Sequence, residues 1–139
     1  FKIKAQVWSV TSFNLQRKDG REIERYNQLN PSGKQTLTYV EECFSDSNVP
    51  VIAATDYMRS YAEQIRPYIH SSYTTLGTDG YGRSDSRQTL RDFFEVDSKS
   101  IARAAIYALY KSDKIDKNQI ENYYKELGID SNKPNPWEI

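Results

Sequence analysis

The chain has 139 residues, the size of one domain, and can bury a core without disulfides or metals. Its 19 basic residues are balanced by 19 acidic ones with no run of like charge, so neither a nucleic-acid footprint nor an anionic-membrane patch is visible. The single cysteine, Cys43, can form no disulfide within the chain and lacks the spaced companions of a zinc site, which suits a reducing compartment and a half-buried helix thiol.

The first ten residues, FKIKAQVWSV, contain neither an initiating Met nor a signal segment, and the chain reads as a piece of something longer. AQVWSVTS, residues 5–12, is rich in β-branched and aromatic residues and predicts a strand; the polar stretch 13–30 predicts a helix despite Gly20. After the turn cluster NPSG, Leu37, Val40 and Phe44 share a helical stripe that SDSN interrupts.

VPVIAAT, residues 49–55, is a continuous apolar run, the pattern of a central parallel strand covered on both faces. Asp56 stands where a helix cap belongs; Met58, Ala62, Ile65 and Ile69 then recur at helical spacing, with Pro67 near the end. YTTLG, residues 73–77, predicts a third strand, followed by a loop and a helix over residues 86–94. Asp97 and Asp116 are placed to cap two further helices, Gly128 supplies a left-handed closure, and the turn-rich tail SNKPNPWEI lies on the surface. No apolar run approaches the ~20 residues of a membrane helix.

Strands alternating with helices predict an α/β layer fold with a mainly parallel sheet. Three strands make a thin sheet, so at least one further strand is expected upstream of Phe1.

The loop LGTDGYGRSDSR leaves the carboxyl end of a predicted parallel strand, where ligands gather in such folds. Its glycines could admit a phosphate to the backbone, but the Rossmann and P-loop spacings are not met and no lysine adjoins them. Asp79 and Asp85 lack the ladder of a calcium loop, and nothing desolvates one carboxyl against another as a catalytic pair requires. The chemistry favours a structural reading, with glycines in open backbone angles, and Arg83, Arg87 and Arg91 paired to carboxylates nearby or on another domain. His70, alone in PYIHSSY, reads as a surface or interface histidine. The 11 tyrosines follow no fixed interval that would mark a base-stacking platform, and suit core packing and interfaces.

VWSVTSFN, ATDYM, LGTDGYGRSDSR and FEVD occur in this order, and together they resemble the carboxyl-terminal domain of the homodimeric, bacterial-type pyruvate dehydrogenase first component. The resemblance runs from Val7 to the DKNQIENYYKELGIDSNKPNP close; Ala54 and Tyr81 depart from it by single residues, and residues 31–37 fall outside it. The spacing of Gly80, Tyr81, Gly82, Ser84, Leu90 and Phe94 is similar to transketolase carboxyl-terminal domains in general.

The resemblance implies a three-layer α/β/α domain whose first strand and helix precede Phe1, with residues 1–139 forming one carboxyl-terminal piece of a multidomain, homodimeric enzyme of the bacterial cytoplasm. That enzyme would use thiamine diphosphate and magnesium, bound by domains absent here, to decarboxylate pyruvate and acetylate the lipoyl group of the dihydrolipoyl acetyltransferase core. No catalytic, cofactor or metal residue carries over, and the piece alone is expected to be inactive. The candidate interface loop comprises Thr78, Asp79, Gly80, Gly82, Arg83, Ser84, Asp85 and Arg87; it would lock a junction with the amino-terminal or middle domain or the dimer mate. The alternatives are the terminal domain of another thiamine diphosphate enzyme, such as a transketolase, and an independent anion-binding module.

Overall fold

The computed structural model describes residues 1–46, 48–136 and 138; Ser47, Trp137 and Ile139, in the predicted break and tail, lie outside the described residues. Among the described residues there are six α-helices and two strands, the strands separated by a helix as expected of an α/β fold.

Helix α1 (Phe13–Leu29) starts where the Ser12 side chain accepts the Leu15 amide, and it stops where Asn30 turns its own amides back onto Tyr26 and Asn27. Gly20 sits inside α1 although glycine costs a helix about 1 kcal/mol relative to alanine. The reason is tertiary: a Cβ there would lie 2.2 Å from the Tyr68 ring, so the helix crosses that ring only at a residue without a side chain.

Helix α2 (Tyr39–Cys43) is one turn held by a reciprocal cap, Thr38 accepting the Glu41 amide while Glu41 accepts the Thr38 amide. Cys43 is half-buried at its end, as expected. Strands β1 (Val51–Ala54) and β2 (Tyr73–Leu76) pair in parallel, Val51 opposite Tyr73 and Ala54 opposite Leu76. Side chains alternate across a strand. On one face Val51, Ala53 and Tyr73 join Val40, Ile65, Tyr68 and Ile69 in the core, with Phe13 and Phe44 packed against it.

The other face looks toward helix α5 (Ser98–Lys111), which packs on both strands and carries helix α6 (Lys117–Leu127) behind it. Asp97 and Asp116 cap these two helices by accepting amides three residues on, and Gly128 closes α6 in the left-handed conformation at φ 60°. Asp97→Ala and Asp116→Ala should each lower stability by about 1 kcal/mol, with asparagine restoring most of it, as read from urea unfolding midpoints.

Four expectations are corrected. Residues 5–12 form no strand: this stretch is exposed and unpaired, anchored by the Trp8 ring 5.4 Å from Phe44. β-Branched composition favours a pleated, half-buried surface, but a strand exists only where a neighbouring edge accepts its hydrogen bonds. Consequently the sheet has two strands among the described residues, and β1 is not central; the core and α5 pack on its two faces, yet its residues stay half-buried or exposed.

Asp56 caps no helix. Helix α3 (Arg59–Glu63) begins after Met58, which makes no side-chain cap, and the predicted single helix through Ile69 breaks into α3 and a 3-10 turn, Arg66–Tyr68. Pro67 lies within that turn rather than ending a helix, because it lacks an amide proton and biases the preceding residue away from α geometry.

Candidate functional site

Parallel pairing brings the carboxyl ends of β1 and β2 to the same edge of the domain, and there the two outgoing loops are bound to each other. The Thr55 amide donates to Leu76 O at 3.0 Å, the Thr78 amide to Tyr57 O at 2.9 Å, and Thr78 Oγ1 to Asp56 O at 3.1 Å. Asp79 Oδ1 accepts the Arg59 amide at 2.8 Å, with its other oxygen 3.5 Å from Arg59 Nε.

Gly77 makes this seam possible. A Cβ on it would stand 2.5 Å from Arg59 N, 2.7 Å from Arg59 Cα and 2.8 Å from Tyr57 O, all backbone atoms.

Past Asp79 the chain turns through Gly80 at φ +94° to Tyr81 and Gly82, and neither glycine would bring an added Cβ within 4 Å of anything. The Arg83 guanidinium lies 4.5 Å from the centre of the Phe93 ring, a cation–π contact. Ser84 and Asp85 border a groove of about 410 Å³ with Thr89, Leu90 and Phe93. The Asp85 carboxylate accepts the Ser86 amide at 2.6 Å, and Ser86 caps helix α4 (Arg87–Phe93) by accepting the Thr89 amide.

Helix α4 is tied across to the β1 loop by Arg91, whose Nε and Nη2 donate to the two Asp56 oxygens at 3.1 and 2.5 Å. Of the three arginines expected to meet a nearby carboxylate, Arg91 thus does so. Arg87 stands on a second, open groove of about 850 Å³, bordered also by Thr55, Asp56, Arg91, Asp97 and Ile101.

The structure therefore joins Thr78 and Asp79 into the seam, keeps Gly80 and Gly82 at a tip, and spreads Arg83, Ser84, Asp85 and Arg87 along the return to α4. Sequence reasoning missed Tyr57 and Arg59, which share the seam from the β1 side. Their contacts are made by backbone atoms some 20 residues distant in sequence, and side-chain identity carries no signal for that. His70 is on the surface as expected, its Nε2 2.9 Å from Glu41 Oε1.

Electrostatically the site is a set of partly exposed ion pairs. Arg91 beside Asp56 holds that carboxyl below its usual range, Arg66 does the same for Glu63, and Arg103 for Glu95. A carboxyl lowered by folding stabilises fully above its ordinary pKa, 3.8 for Asp56 and 4.5 for the two glutamates, and loses that contribution as pH falls through the lower folded value. The urea midpoint should stay flat from neutrality to about pH 5 and fall below it, and Arg91→Ala with Arg103→Ala should flatten that fall.

Among the described residues no three His, Cys, Asp or Glu side chains converge to hold a metal, and no helix is long and apolar enough to cross a membrane. The seam offers fixed backbone, and beside it stand the Phe93 ring under Arg83 and the Arg91–Asp56 pair.

These features define an α/β domain closed at the carboxyl edge of a parallel sheet, and a family model, the transketolase-like TK C-terminal domain, matches residues 1–97. The chain belongs to that family. It is 50% identical over 137 residues to a pyruvate dehydrogenase E1 component of Pseudomonas aeruginosa, covering 98% of this chain and 16% of the relative. It is 39% identical over 137 residues to the pyruvate dehydrogenase E1 component of Cupriavidus necator, covering 99% of this chain. The pyruvate dehydrogenase E1 component of Escherichia coli strain K12 is 42% identical over 135 residues, or 96% of this chain. The chain thus spans about 15–16% of the length of the curated relatives it matches.

Proposed function

We propose that residues 1–139 are the carboxyl-terminal domain of a homodimeric, bacterial pyruvate dehydrogenase first component. The enzyme decarboxylates pyruvate and transfers the acetyl group to the lipoyl group of a dihydrolipoyl acetyltransferase core in the cytoplasm. The observation that carries this reading is identity of 39–50% across nearly the whole chain with relatives named as that component.

Thiamine diphosphate and magnesium belong, on this reading, to parts of the polypeptide outside these residues. The described side chains do not fit them: no metal-ligating cluster is present, and the strand-end glycine Gly77 is filled by Arg59 and Tyr57 backbone rather than open to a diphosphate. The contribution of this domain is a rigid surface. Its loop, Thr78 to Arg87, closes a junction with the amino-terminal or middle domain or with the dimer mate, and Arg83, Asp85 and Arg87 supply ion pairs across it.

The mass of the polypeptide that carries these peptides in its native cell tests the reading. A chain several times this length, active in pyruvate-dependent acetylation of a lipoyl domain while residues 1–139 alone are inactive, is the expected result. A native chain of this length, or a long one that transfers two-carbon units to sugars instead, would reject it.

A further inference from the structure

Most of the loop is fixed at both sides. On entry it is held by the Thr78 and Asp79 bonds to the Tyr57–Arg59 backbone, and on exit by the Arg83 contact with Phe93 and the Ser86 cap. Only Gly80, Tyr81 and Gly82 lie between these anchors, and the glycines on either side stand clear of the body. Tyr81, between them, is 96% exposed.

A large aromatic side chain displayed on a short, tethered tip is costly to leave in water and cheap to bind with, since the loop is already ordered before it meets anything. It is not alone. Tyr57 and Met58, on the neighbouring strand-end loop, are 55% and 46% exposed, and the Thr78–Tyr57 bond ties that loop to the one that carries Tyr81. Arg83, Asp85 and Arg87 follow Tyr81 on the same loop, so charge adjoins the exposed ring along the chain, as at the polar rim of an interface with an apolar centre.

We infer that Tyr81 is the aromatic anchor of this edge, seated in an apolar pocket on another domain of the same polypeptide. This rests on the reading above, and its warrant for the occupant is length: the matched residues make up only 15–16% of the relatives. Most of the surface available to cover Tyr81 therefore lies in the same chain. The anchor is the ring rather than its hydroxyl.

The test uses the full-length polypeptide, its mass measured first. With p-benzoylphenylalanine in place of Tyr81, irradiation should cross-link position 81 to a peptide of the same polypeptide outside residues 1–139. In parallel, tryptic cleavage after Arg83 should be about tenfold faster in Tyr81→Ser than in wild type, with Tyr81→Phe within about twofold of wild type. On a long chain, no cross-link, a cross-link only to another protein of the complex, or equal cleavage in all three forms overturns the anchor and leaves the enzyme reading standing. A native chain of only this length overturns both.

Discussion

Gly77→Ala should cost the chain about 3 kcal/mol or more and separate the two strand-end loops. Overpacking is usually relieved by a side chain that swings away, but here the three atoms in the path are Arg59 N, Arg59 Cα and Tyr57 O, and backbone cannot rotate out of the way. Relief requires α3 to move off the carboxyl end of β2, and the bonds from Thr78 to Tyr57 and from Arg59 to Asp79 go with it. The measurement is the urea unfolding midpoint together with amide exchange of Thr78 and Arg59, which should speed up in the variant. Gly82→Ala is the matched control: the space around Gly82 is open, and its variant should stay within about 0.5 kcal/mol of wild type. Equal behaviour of the two would mean that the seam is not closed as described.

The second large effect is expected in the core. Tyr73 is buried at the start of β2, its ring among Val40, Ile65, Tyr68 and Ile69, and its hydroxyl donates to the carbonyl of the fully buried Ala62 at 2.7 Å. Burial pushes its phenol well above the usual range, which favours the protonated donor. Arg66 adds a guanidinium 5.0 Å from the ring centre and donates to Tyr73 O at 3.0 Å. Tyr73→Ala removes packing and hydrogen bond together and should cost about 4 kcal/mol. Tyr73→Phe keeps the ring and orphans only the Ala62 carbonyl, for about 1–2 kcal/mol. A phenylalanine variant as unstable as the alanine one would place the energy in the hydroxyl instead of the ring, contrary to the packing described.

The two substitutions bear on function differently. Tyr73 holds α3 to the sheet from inside, so its loss loosens the whole domain; Gly77 sets the distance between the loops, so its loss changes the presented surface first. On the function proposed above, Gly77→Ala should lower the activity of the full-length protein by misplacing the proposed junction.

How much of this was legible in the sequence depended on how far each signal reaches along the chain. Ser86, Asp97 and Asp116 are caps because each accepts an amide three residues on, and Gly128 closes a helix because of its own φ angle. Such features are complete within one turn, and the helices they bound, like β2 and the α/β class, are readable from residues alone. The strings VWSVTSFN, ATDYM, LGTDGYGRSDSR and FEVD, taken together in that order, likewise marked the family.

Tertiary structure decided the rest. Residues 5–12 have strand composition and form none, because pairing needs an edge that local sequence cannot supply. Asp56 has the position of a cap and instead receives Arg91, 35 residues away, because the parallel register brings the β1 loop beside α4. Gly20 and Gly77 look like breaks in pattern and are contacts, one under the Tyr68 ring and one under the Arg59 backbone. Helix ends are determined within the reach of a single side chain, whereas the seam exists only once two strands have aligned, and no residue of it carries that alignment in its own chemistry.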